Sequence, residues 1–272
     1  VRKYEALPWQ FCGDHAWREL TVKPLNYAIF GRIRLFHTFR FMWKYFFLYS
    51  NEPKILDIGI FPGTIHCILA ELLPKYGLTP QLFGAGLNLK QDFKDMLEKR
   101  CNTRIDIVNM DPDNKDLKQK NYKTIMQHED NSMDIVIATE IIEHLTNPNH
   151  MLSEAHRVLK KAGAILITTP NVTRIGSIFK LLVGRSNLDV LTPIGYSNQD
   201  DEWRPHFREY SMNELKELLS IHGFDVKEYE FYNDCLDFVK KDIKQRFVDL
   251  AKIPFGIAPH LRGCSQIIAI KK

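Results

Sequence analysis

From about residue 54 onward, short apolar runs alternate with longer stretches whose apolar positions recur three and four apart. That is the pattern of strands and amphipathic helices building a mostly parallel sheet. Lys54–Ile58 reads as a buried strand ending at Gly59, and Gly63–Tyr76 as a helix with Ile65, Ile68, Leu69 and Leu72 on one face. Further strands are expected at Gln81–Leu87, Arg104–Asn109, Met133–Thr139 and Ala164–Thr169, and helices at Gln91–Arg100 and Pro148–Lys161. Gly163 is expected to stop the second of these helices as a C-cap. Beyond Asn171 the alternation breaks: Arg174–Val183 reads as helical, and Gly184–Pro205, rich in Gly, Asn, Asp and Pro, as a long substrate or lid loop. Ser211-Met212-Asn213-Glu214 is a capping box opening a helix to His222, with Gly223 as its stop. Asp225–Phe231 and Ser265–Ile270 complete the strands, separated by a helix near Asn233–Val248, and a final reversed hairpin strand at the sheet edge fits this order. The expected fold is α/β: a doubly wound, mostly parallel, seven-stranded Rossmann-like sheet with an N-terminal helical cap.

Residues 1–50 stand outside the alternation. Phe36, Phe39, Phe41, Trp43, Phe46, Phe47 and Tyr49 interleave with Arg32, Arg34, Arg40 and Lys44. The expected organisation is a helical cap over 1–50, aromatics facing the domain, and a single domain over 51–272; peripheral membrane contact through 30–50 is the rival reading. Eight Lys/Arg against three acidic residues give this segment a local +5, whereas 29 basic and 30 acidic residues remain elsewhere. These charges read first as solvated helix faces; an anionic partner such as a membrane surface, nucleic acid or charged glycan is the other reading, and would meet this segment. With no basic stripe beyond it, no DNA partner is expected and RNA is not favoured.

The five cysteines are scattered, without C-x-x-C or zinc-ligand spacing, so a reducing cytoplasm is the expected home. The most apolar stretch, Phe36 to Tyr49, is interrupted by Arg40 and Lys44 and is shorter than the roughly 20 residues of a spanning helix. The expected location is cytoplasmic, with membrane association as the variant.

The chemistry concentrates at the expected carboxyl ends of the strands, where doubly wound sheets bind ligands. Asp57-Ile58-Gly59-Ile60-Phe61-Pro62-Gly63 closes the first strand with the spacing D-x-G-x-x-x-G, unlike the dinucleotide G-x-G-x-x-G. It resembles motif I of class I S-adenosylmethionine-dependent methyltransferases, with Phe61 in place of a middle glycine. Met133–Leu145, Leu159–Asn171 and His206–Ser211 followed by Gly223-Phe224 resemble further blocks of that family in the same order. The resemblance, closest to bacterial polysaccharide-associated methyltransferases, covers residues 54 to 231 and leaves out 1–50.

What the resemblance implies is S-adenosyl-L-methionine as cofactor, with Gly59 and Gly63 making room for its methionine part and Asp57 organising that turn and the ammonium. Asp111 occupies the place of an adenine contact, and Glu140 lines the site. The usual ribose carboxylate is missing, since Gly86 stands there, which leaves Asn88 or the backbone. Phe61 is expected beside the sulfonium or in simple packing. His144 and His206 are the candidate bases for a hydroxyl acceptor. Glu140, Glu143, His144 and His206 also resemble the divalent-ion set of small-RNA 2′-O-methyltransferases and some quinone-biosynthesis O-methyltransferases. The expected reaction is O-methylation of a sugar hydroxyl of a glycan or glycolipid. An RNA 2′-OH or a quinone or phenol is the alternative acceptor, and a cofactor-free binding module is the non-enzymatic rival.

Overall fold

The computed structural model describes residues 34–87, 89–114, 122–188, 205–233 and 258–272. Seven strands form one sheet: β1 Lys54–Ile58, β2 Gln81–Gly86, β3 Arg104–Ile107, β4 Met133–Thr139, β5 Leu159–Pro170, β6 Phe224–Tyr232 and β7 Cys264–Lys271. Their order is β3-β2-β1-β4-β5-β7-β6. The first five run parallel, and β7 pairs antiparallel with both β5 and β6. The described helices are α1 over 34–42, α2 Thr64–Leu72, α3 Gln91–Cys101, α4 Asn149–Val158, α5 Ile175–Leu182 and α6 Met212–Ile221.

Alternation along the central strands feeds two cores, one on each face. Leu56, Ile58, Val136 and Ala138 pack on one side with α4 and α6 residues such as Met151, Leu152 and Leu215. Ile55, Ile135 and Ile137 pack on the other with Ile68 and Leu69 of α2 and Leu97 of α3. Both faces being covered explains the unbroken apolar run Ile135–Ala138 within β4.

Two expectations are corrected. The reversed strand β7 is not at the edge: Ile267, Ile268 and Ala269 are fully or almost fully buried, which suits an interior strand, and β6, with Asp225, Glu228 and Glu230 in its sequence, takes the edge. Gly163 does not cap a helix. α4 ends at Val158 because Leu159 is already extended and pairs with Met133, and Gly163 lies inside β5, where a side chain would meet the Lys160 and Asp134 carbonyls. The capping box forms as expected: Ser211 Oγ accepts from the Glu214 N–H, and the Glu214 carboxylate accepts from the Ser211 N–H.

From the N-terminal segment, Leu35, Phe39, Met42, Tyr45 and Phe46 are built into the second core rather than laid on its surface. Its basic residues meet acidic partners: Arg34 pairs with Glu140 at 3.4 Å, Arg40 with Glu230 at 2.5 Å, and Lys44 with Glu228. Residues 1–33, the Asn233–Val248 helix beyond Asn233, and most of the expected 184–205 loop (189–204) lie outside the described residues. Among the described residues no helix is long and apolar enough to cross a membrane.

Candidate active site

The carboxyl ends of β1 and β4, the elements flanking the point where strand order reverses, carry the first group of candidate residues. Asp57 is 2% exposed. One of its oxygens, Oδ1, is buried with no hydrogen-bond partner, and Oδ2 lies 4.0 Å from Nε2 of His66. Gly59 and Gly63 both take left-handed backbone, at φ of 83° and 79°, and Gly63 caps the start of α2. A Cβ on Gly59 would sit 2.1 Å from Ile141 Cδ1, so this turn requires glycine for packing as well as backbone. Asp57, Gly59, Phe61 and Glu140 line one cleft together with Arg34, Leu35 and Thr38 of α1. Phe61 is 57% exposed and packs against Phe93 with ring centroids 5.3 Å apart. Glu140, itself left-handed at φ 53°, accepts from Thr168 Oγ1 at 2.9 Å and pairs with Arg34.

Asp111 does not join this cleft. It is fully buried, and its oxygens accept from the Thr146 N–H and hydroxyl and from the Asn147 N–H. Its carboxylate ties the segment after β3 to the turn after β4. Asn88 lies outside the described residues.

A second group gathers one turn beyond β4. The backbone carbonyl of Glu143 accepts from the N–H groups of Phe207 and Arg208 at 2.8 and 3.3 Å. These bonds bring the His206 block against the 3₁₀ turn Ile142–His144, so the rings of His144 and His206 meet edge to face with centroids 4.7 Å apart. His144 Nδ1 lies 3.3 Å from the Pro205 carbonyl, and His206 Nδ1 lies 3.4 Å from Glu209 Oε1. Glu143 completes the group, fully buried: Oε2 accepts from Thr169 Oγ1 at 2.8 Å, while Oε1 has no partner. Burial, aided by the Glu140 charge, holds its carboxyl well above the usual range.

One potential ligand atom from each of Glu143, His144 and His206 lies within 4.8 Å of the others. Glu140 is not in this trio. The left-handed backbone at 140 prevents the regular helical turn that would have aligned it with Glu143 and His144, so the alternative four-residue cation set reduces to three. Arg34, His66, Thr169 and Glu209 were not expected as site residues; Arg34 stood out only for its place in the basic, aromatic segment and Glu209 only for its three-residue spacing from His206.

Residues 56–167 match a methyltransferase domain family model. A probable S-adenosylmethionine-dependent methyltransferase of Mycolicibacterium smegmatis is 31% identical over 99 residues, 36% of this chain and 31% of that protein. The mitochondrial ubiquinone biosynthesis O-methyltransferase of Dictyostelium discoideum is 30% identical over 110 residues, 39% of this chain and 34% of that protein. The matched region thus spans about a third of each curated relative. A SAM-dependent methyltransferase structure from Archaeoglobus fulgidus superposes with a TM-score of 0.52 at 18% identity, covering 90% of this chain and 99% of that one, a likeness of fold. Residues 56–167 are thus similar to a methyltransferase domain in sequence, within a sheet whose fold is like that of a SAM-dependent methyltransferase structure.

Proposed function

We propose that the protein is an S-adenosylmethionine-dependent O-methyltransferase acting on a sugar hydroxyl of a glycan or glycolipid. The observation that carries hydroxyl transfer is the pairing of His144 and His206, two rings 4.7 Å apart at the carboxyl end of the sheet. The acceptor class rests on the resemblance of Phe61-Pro62-Gly63 and His206–Tyr210 to polysaccharide-associated methyltransferases. The cleft suits the cofactor: Asp57 offers a buried carboxylate oxygen without a partner to an ammonium, Gly59 keeps the turn tight, and Phe61 presents an aromatic face. Bound there, S-adenosylmethionine supplies an electrophilic methyl group on a positively charged sulfur. The chain aligns the acceptor oxygen with that methyl and excludes water. As the oxygen gains the methyl, its proton passes to a histidine nitrogen.

A second reading keeps the reaction and changes the activator. Glu143, His144 and His206 have the residue types and spacing to hold a divalent cation, and the Nδ1 atoms of both histidines lie within reach of oxygens that would orient a ligating ring. A quinone or phenol acceptor goes with this reading; the Dictyostelium relative is named a ubiquinone biosynthesis O-methyltransferase.

Transfer of a labelled methyl group to lipid-linked saccharides, nucleotide sugars and catechols separates the acceptors. Replacing the working histidine by alanine is expected to lower turnover by about 10²–10⁴-fold with cofactor affinity unchanged. Under the cation reading Glu143→Gln is equally damaging, and chelation stops activity that added divalent ion restores. Near-normal turnover in both His144→Ala and His206→Ala would contradict both.

A further inference from the structure

We propose that Glu209 is a positioning residue: clamped by Arg174 and Asn187, its carboxylate keeps the proton of His206 on Nδ1 and so makes Nε2 the basic atom of that ring. The inference rests on the reading of His206 as part of the acceptor site. Glu209 has a side chain only 1% exposed, yet its two oxygens are well satisfied. The Arg174 guanidinium donates to both, Asn187 Nδ2 donates to Oε2 at 2.6 Å, and His206 Nδ1 lies 3.4 Å from Oε1.

The Arg174 guanidinium, always charged, grips both oxygens and holds Glu209 as a carboxylate, and an ionised carboxylate only accepts. A lone pair on His206 Nδ1 would face that charge, whereas an N–H there donates to it. Neutral imidazole carries one proton, so placing it on Nδ1 leaves the Nε2 lone pair for an acceptor proton or a cation.

The clamp also fixes where the ring stands. Arg174 is the N-cap of α5, anchored by a bond to the Asn171 carbonyl just past β5, and Asn187 follows the same helix. Glu209 thus ties His206 to the end of β5, while Glu143 ties the same block to the turn after β4.

The test is histidine-selective ¹⁵N NMR on the full chain at neutral pH, with the His206 signals identified by their loss in His206→Gln. The wild-type protein is expected to show His206 as the Nδ1–H form. Glu209→Gln, whose amide can donate as well as accept, is expected to populate the Nε2–H form. It should also lower kcat about 10–100-fold, the usual effect of an outer partner, with KM for the cofactor unchanged. A wild-type His206 in the Nε2–H form, or a tautomer balance untouched by Glu209→Gln, overturns the proposal. If that variant fails to fold, Asn187→Ala replaces it: partial loss of the Nδ1–H form supports the clamp, and an unchanged population counts against it. The tautomer is read on the resting protein, so it is decided whether or not a given acceptor is methylated. Full activity in His206→Ala with the Nδ1–H form present in wild type would refute the acceptor-site reading and leave the clamp standing.

Discussion

Asp57 is held in a conflict that its environment does not resolve: it is buried at the end of β1, Oδ1 meets no donor, and burial pushes its pKa up to about 8. The nearby His66 cannot neutralise it as a cation, since burial lowers that imidazole to about 3 and Thr103 Oγ1 occupies its Nδ1. The folded-state pKa of Asp57 is therefore above its unfolded value of about 3.9. Between those two pH values the folded chain holds a proton that the unfolded chain releases, so this group lowers stability as pH rises through the window and adds no further change above about 8. Asp57→Asn removes the penalty. The ligand-free variant is expected to melt at least ~2–4 °C higher at pH 7.5, the shift given by 1 kcal/mol at this size, while binding S-adenosylhomocysteine far more weakly. Wild-type affinity for that ligand, whose ammonium favours ionised Asp57, should tighten from pH 6 to pH 8 and then level off. A flat profile, or a lower melting point for the variant, would contradict the assignment.

At the scale of elements, the polar fastening of α1 to the sheet, beside its apolar packing, runs through Glu230 of the edge strand. That carboxylate accepts from Arg40, from Gln266 and, at 3.3 Å, shares a contact with His37, whose ring stacks on Tyr232. Glu230→Ala is expected to cost about 1.5–3 kcal/mol, the range for hydrogen bonds to a charged group, and to expose the Arg34–Leu35–Thr38 side of the cofactor cleft to hydrogen exchange. Unchanged exchange in 34–42 would show that apolar packing alone seats the helix.

The same element shows what the sequence allowed. Strands Lys54–Ile58 and Met133–Thr139 and the capping box at Ser211 were legible to the residue, because burial period and cap chemistry are local properties. The start of β5 was not: Leu159-Lys160-Lys161 continues a helical composition, and only pairing with Met133 makes it a strand. Nor was the fate of Asp111 legible, since its partners Thr146 and Asn147 lie more than thirty residues away. The His144–His206 contact, 62 positions apart, was expected only through the family resemblance, and nothing local to either block encodes the Glu143 carbonyl that joins them.

For the whole molecule, two half-sites meet across the carboxyl edge of one sheet. The Asp57–Gly59–Glu140 cleft lies under α1, and the Glu143–His144–His206 group adjoins it through the single turn after β4. The basic excess of the N-terminal segment is partly spent inside this architecture, on Glu140, Glu228 and Glu230, which reduces what residues 34–47 can offer to an anionic surface. The proposed methyl transfer requires the cleft to accept the cofactor. Calorimetric titration of the full chain with S-adenosylhomocysteine tests that most directly. Saturable one-to-one binding, lost in Asp57→Asn and retained in His144→Ala and His206→Ala, is the predicted result; no binding by the wild-type chain would contradict it.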